Sequence, residues 1–190
     1  MRLFWLVLPI ALVLAGLIHV AAVLGLPYVA PRSAWERLSA LGEPNEMVIL
    51  PAAAPEHQSL PMMAPDVRYA VCRFDISEGP VRLSTQILDD FWVIAFYTPG
   101  GQNFYTISGG ELKRNKIEIV ISTKKEAIFE IGANILDDID DLIVVASPKR
   151  EGVVMIRAPL SGPSYALRTE LALKRATCSR KLTGLDRPAR

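Results

Sequence analysis

The apolar and polar positions divide this chain into two regimes. From Leu3 to Leu26 it reads LFWLVLPIALVLAGLIHVAAVLGL, with no charged side chain and no polar stripe. About 20 apolar residues make a helix long enough to cross a hydrocarbon core of roughly 30 Å. A cleaved secretory signal has a shorter apolar region, about 7–15 residues, and a small-x-small cleavage site. Here Pro27 and Pro31 lie among the small residues Ala30, Ser33 and Ala34. A buried core helix would keep a polar face for solvent. The pattern therefore predicts an uncleaved transmembrane signal anchor over residues 1–26. Pro9 is tolerable in such a helix, and His19 is close enough to its end to reach headgroups.

Residues 27–46 read as a juxtamembrane segment. Pro27–Pro31 predicts an extended exit, and Ser33-Ala34-Trp35-Glu36 has capping-box spacing for a short helix to about Leu41. Tyr28 and Trp35 suit a membrane–water interface. From Met47 the period becomes two. Strands are expected at Met47–Leu50, Val67–Phe74, Val81–Ile87, Phe91–Thr98, Asn103–Ser108, Lys116–Ser122, Leu142–Ala146 and Gly152–Arg157. Pro51, Pro55, Pro61 and Pro65 mark a loop before the second of these. Phe91–Thr98 is apolar on both faces and so predicts a covered central strand. The last two strands are expected to form a hairpin about Ser147–Glu151. Helices are expected at Lys124–Ile131 and Ser164–Cys178, the second turning Tyr165, Leu167, Leu171, Ala172 and Thr177 to the core. The expected fold is mainly β, an antiparallel β-sandwich or jelly-roll-like domain over 47–178, closed by a C-terminal helix and a basic tail at 179–190.

Charge changes the picture only locally. The chain holds 21 Lys and Arg against 20 Asp and Glu. That balance argues against nucleic acid as a partner. The imbalance sits at the end, where Arg168, Lys174, Arg175, Arg180, Lys181, Arg187 and Arg190 face only Glu170 and Asp186. Such a stretch is either a solvated surface or a contact for anionic headgroups. Arg2 and the α-amino group on one flank nearly balance Arg32 and Arg37 on the other. A short tail inside and a long exported domain is the expected orientation. The two cysteines, Cys72 and Cys178, contain no CxxC. In an exported domain they suggest a disulfide; the alternative is two free thiols.

Candidate chemistry is sparse. His57 is the one histidine beyond the anchor, and no G-x-S-x-G elbow is present. His57, Cys72 and Cys178 lack zinc-ligand spacing. Asp137–Asp141 is acidic but does not match the D-x-D-x-D-G calcium loop. Asp89 and Asp90 read as a turn, and Gly100-Gly101 and Gly109-Gly110 precede no helix with phosphate-loop spacing. No catalytic residue, metal or cofactor is expected. Arg73, mid-strand and in line with Tyr69 and Val71, is a candidate for holding an anionic ligand. A rim arginine or an ion pair with Asp75 is the simpler account. Trp92, Tyr97, Asn103 and Tyr105 complete a possible ligand-contacting set.

The stretch Tyr69–Ser108, YAVCRFDISEGPVRLSTQILDDFWVIAFYTPGGQNFYTIS, resembles the bacterial family called domain of unknown function 1254. The matching features are Asp75, Gly79-Pro80, the aromatic-rich Phe91–Tyr97, and Gly101-Gln102-Asn103-Phe104. With its anchor, Cys72 and Cys178, the chain resembles a small membrane-anchored alphaproteobacterial branch. The resemblance implies a β-rich, jelly-roll-like fold. It also implies that long members carry a second domain, which a separately encoded partner would supply here. It transfers no catalytic residue. The expected protein is thus a non-enzymatic envelope protein of the bacterial inner membrane, with its domain on the periplasmic side binding a protein partner or envelope ligand. A small-molecule or lipid-binding barrel is the alternative, and a hydrolase a more distant one.

Overall fold

The computed structural model describes residues 2–29, 34–56, 58–112, 115–123 and 142–180. The expected helix at 124–131, the acidic cluster at 137–141, His57 and the tail past Arg180 lie outside them. The chain forms two compact units, 1–33 and 34–190.

The first unit is helix α1, Arg2–Val29. Its Val7–Leu26 portion spans 20 residues, none of them buried, and is long and apolar enough to cross a membrane. At 1.5 Å per residue that is about 30 Å. The helix continues past Pro27 to Val29 instead of giving way to an extended exit. A proline removes one backbone donor, and so near the end of a long helix it leaves most of the ladder intact.

The second unit is a two-sheet β structure. Helix α2 is Ala34–Ser39. The strands are β1 Met47–Ile49, β2 Val67–Asp75, β3 Val81–Gln86, β4 Val93–Tyr97, β5 Asn103–Ser108, β6 Lys116–Ser122, β7 Leu142–Ala146, β8 Glu151–Pro159 and β9 Thr177–Ser179, with α3 at Ala166–Lys174. One sheet runs β1-β2-β8-β4-β5 and the other β7-β6-β3-β9. All described pairings are antiparallel except β6 with β7.

The alternation along each strand explains the packing. Ala70, Cys72 and Phe74 of β2, Ile94 and Phe96 of β4, and Val154 and Ile156 of β8 share a buried cluster with Val81, Leu83, Ile117, Ile119 and Ile121 of the second sheet. The complementary residues of the first sheet, Tyr69, Val71 and Val153, join Leu38, Leu50, Leu60 and Met63 in a second cluster. So α2 and the proline-rich loop cover part of the first sheet's outer face. Gly152 lies opposite Phe74, and a Cβ there would fall 2.3 Å from the Phe74 ring.

Three further expectations need correction. β7 and β8 do not form a hairpin, because β7 pairs with β6 and β8 with β2 and β4. The connection Ser147–Arg150 instead carries the chain from one sheet to the other. Its neighbours in sequence are both apolar, and alternation alone does not say which sheet each enters. The final helix ends at Lys174, and Cys178 belongs to the short strand β9 beside β3. The buried face of α3 also differs: Ala172 is buried as expected, together with Thr169 and Leu173, whereas Tyr165, Leu167, Leu171 and Thr177 are exposed. Thr169 and Leu173 are an i, i+4 pair on one helical face, and that face meets the core.

Candidate functional site

The alternation of β2 aims Arg73 away from the core, on the face that carries Tyr69 and Val71. Strand register then sets its neighbours. Arg73 pairs with Val153, Val153 with Tyr97, and Tyr97 with Asn103. Arg73, Tyr97 and Asn103 therefore lie in one row across the first sheet. The row is not an open anion site. Arg73 Nη2 donates to the Gly42 carbonyl at 2.8 Å, and its guanidinium sits 5.4 Å from the centre of the Trp35 ring. Its Nε is buried and finds no acceptor among the described residues.

The rest of that junction is tightly specified. The Asn45 side chain donates to the Asp75 carbonyl at 3.1 Å and accepts from the Asp75 N–H at 2.9 Å. The Asn45 N–H donates to the Arg73 carbonyl at 2.7 Å. Asn45 has φ 61°, a left-handed conformation that asparagine tolerates better than most residues. The Asp75 carboxylate turns the other way and accepts from the Ser77 N–H at 2.8 Å. The Ser77 side-chain hydrogen bond, then the Ser77 N–H, aided by the Arg180 and Arg150 charges, outweigh burial and hold Asp75 below the usual carboxylate range. In place of an anion site or an Arg73–Asp75 ion pair, the arginine fastens the residues between α2 and β1.

The remaining candidates separate. Tyr97 Oη accepts from Arg157 at 3.3 Å. Asn103 donates to the Tyr105 carbonyl at 3.3 Å and to Thr106 at 3.1 Å, which occupies it locally. Tyr105 registers with Phe96 and packs beside it, with ring centres 5.9 Å apart. Trp92 is 1% exposed and belongs to the core between the sheets. The structure therefore joins Arg73, Tyr97 and Asn103 in a row, and places Trp92 and Tyr105 elsewhere. Sequence reasoning missed Trp35, Gly42 and Asn45 as partners of the Arg73 region; they are some 30 residues away and carry no local signal.

A separate cleft lies beside α3. It is lined by Asp89, Trp92, Ser161, Tyr165, Arg168 and Thr169, among others, with a volume of about 40 Å³. Small-molecule sites are usually about 300–1,000 Å³, so this cleft admits little more than solvent. The Ser161 hydroxyl reaches Asp89 at 3.5 Å, a weak contact and not the nucleophile–base geometry of a hydrolase. Among the described residues, no three His, Cys, Asp or Glu side chains gather as a metal site.

The cysteines are joined. A disulfide links Cys72 of β2 to Cys178 of β9, 106 residues apart, and both are buried. It crosses from one sheet to the other.

These features define a two-sheet β protein with an apolar N-terminal helix, its polar groups engaged in holding segments of the chain together. A family model described as "Protein of unknown function (DUF1254)" matches residues 44–176, and the chain belongs to that family. No curated protein matches. Among solved structures, the VPA0106 protein from Vibrio parahaemolyticus is similar at TM-score 0.54 and 12% identity, over 77% of this chain and 34% of that one. An uncharacterized protein from Burkholderia cenocepacia is similar at TM-score 0.47 and 13% identity, over 82% of this chain and 40% of that one. The first likeness concerns the fold alone. The chain spans about a third of the Vibrio protein's length.

Proposed function

We propose that this is a non-enzymatic, membrane-anchored envelope protein whose β-domain binds a separately encoded protein partner. The observation that carries this reading is the junction of two parts. A 20-residue apolar stretch able to cross a membrane precedes a β-domain whose candidate ligand residues are engaged in internal contacts. The described residues offer a partner surfaces more readily than they offer a substrate a pocket. In this reading α1 is an uncleaved signal anchor in the bacterial inner membrane, and the domain lies on the periplasmic side. The disulfide supports that side, because such bonds persist in oxidising compartments. Binding of a small molecule or lipid ranks second, since the cleft beside α3 is small.

Thiol alkylation in intact cells with a membrane-impermeant reagent tests the placement. Cys72 and Cys178 are expected to label only after reduction and partial unfolding, because both are buried. Labelling that requires cell lysis and needs no reductant would overturn the periplasmic reading. Turnover of a substrate by the purified protein, abolished by a point substitution, would overturn the non-enzymatic one.

A further inference from the structure

Helix α3 presents an outward face that the fold does not use. Leu167 and Leu171 are one turn apart, and they are 68% and 46% exposed. Lys174 and Arg175 continue the same stripe at the i+7 and i+8 positions from Leu167, and both are exposed. Tyr165, 49% exposed, precedes the helix, and Arg168 stands exposed beside Leu167. The helix's one carboxylate, Glu170, is directed to Arg68 of β2 at 3.3 Å. Lys174 and Arg175 therefore have no acid on their own helix to offset them, and Arg168 shares the small cleft beside α3 with Asp89. Beneath, Thr169, Ala172 and Leu173 hold the helix to the sandwich, and Leu167 and Leu171 belong to neither buried cluster.

Leucines flanked by cations, with an aromatic at one end, have the composition of a helix lying in a membrane interface. The same chain also carries a helix able to cross a bilayer, which would keep the domain near one. We propose that α3 is a second, peripheral membrane contact. Its Leu167–Leu171 stripe enters the headgroup region of an anionic phospholipid surface, and Arg168, Lys174 and Arg175 pair with lipid phosphates. This rests on the reading of α1 as a membrane anchor and goes beyond it by assigning a face of the domain to the lipid.

The test uses the full chain reconstituted into vesicles of phosphatidylcholine alone or mixed with phosphatidylglycerol. A photoreactive p-benzoylphenylalanine is placed at Leu167, or as a control at Gln102 beyond the far end of β4. The expected result is a roughly fivefold rise in lipid adducts at position 167 when phosphatidylglycerol is present, with no rise at 102, and loss of that rise at high salt. The combined Arg168→Ser, Lys174→Ser and Arg175→Ser variant is expected to lose it too. All three side chains are exposed, and an unchanged melting temperature checks the fold. Adduct yields at 167 that ignore lipid charge, that match those at 102, or that go to protein in place of lipid would overturn the proposal. Vesicle flotation reports the anchor separately. A chain that floats without the charge-dependent adducts removes the α3 contact alone, and a chain that does not float removes both readings.

Discussion

Arg73 donates to the Gly42 carbonyl and lies over Trp35, so one side chain fastens the segment following α2 to β2. A charge-assisted hydrogen bond of this kind contributes about 1.5–3 kcal/mol, and a cation–π contact about 0.5–1 kcal/mol more at a partly exposed site. Arg73→Met keeps most of the stem and removes both. The expected outcome is a loss of about 2 kcal/mol in urea unfolding, together with greater quencher access to Trp35 under native conditions. Arg73→Lys should recover only part, because an ammonium lacks the planar fork. The residue was conspicuous in the sequence, since a charge in an apolar strand must be explained. Its partners were not legible. Trp35 reads equally well as an interfacial aromatic, and nothing local ties it to position 73.

At the scale of elements, the eight expected strands appear within a residue or two because each either alternates or is a short apolar run, bounded by turn residues. β9 was missed because Thr177-Cys178-Ser179 is too short to show a period. The face of α3 was misassigned because its large apolar residues, Leu167 and Leu171, point outward while small ones face in. Pairing across the second sheet supplies a pH prediction. Glu118 of β6 bonds Arg82 of β3, and Lys116 approaches it at 3.4 Å. Burial pushes the Glu118 carboxyl up, but the hydrogen bond and charge of Arg82, then those of Lys116, outweigh it and hold it below the usual range. A carboxyl lowered in the folded state adds stability above its unfolded value, and that contribution disappears as pH falls through the lowered one. Stability is therefore expected to decline on acidification below the ordinary glutamate range. Glu118→Gln should flatten that part of the profile and reduce stability at neutral pH, as followed by denaturant midpoints at a series of pH values.

For the molecule as a whole, the disulfide closes a loop of 106 residues between the two sheets. Chain entropy values a loop of that size at about 4.7 kcal/mol, which is an upper guide. The Cys72→Ala, Cys178→Ala double variant is expected to lose about 2–5 kcal/mol of stability, read from urea unfolding. An unchanged midpoint would show that the sheets hold without the bridge. The bridge was suggested by an even cysteine count, and the two-sheet fold by alternation. The order of strands within each sheet was beyond reach, because neighbours in sequence pair only about two-thirds of the time.

That strand order has a temporal consequence. β8 lies between β2 and β4, so the centre of the first sheet is filled by residues 151–159, made long after the strands on either side. Until that segment has emerged, β2 and β4 have no common neighbour, and the two halves of the sheet are held by no strand between them. The ribosome must therefore deliver residues 151–159 before the β1-β2 and β4-β5 pairs can join into one sheet. Chains ended before Glu151 should persist as unfolded, protease-sensitive nascent polypeptide, and those extended through Pro159 should be the first to gain resistance.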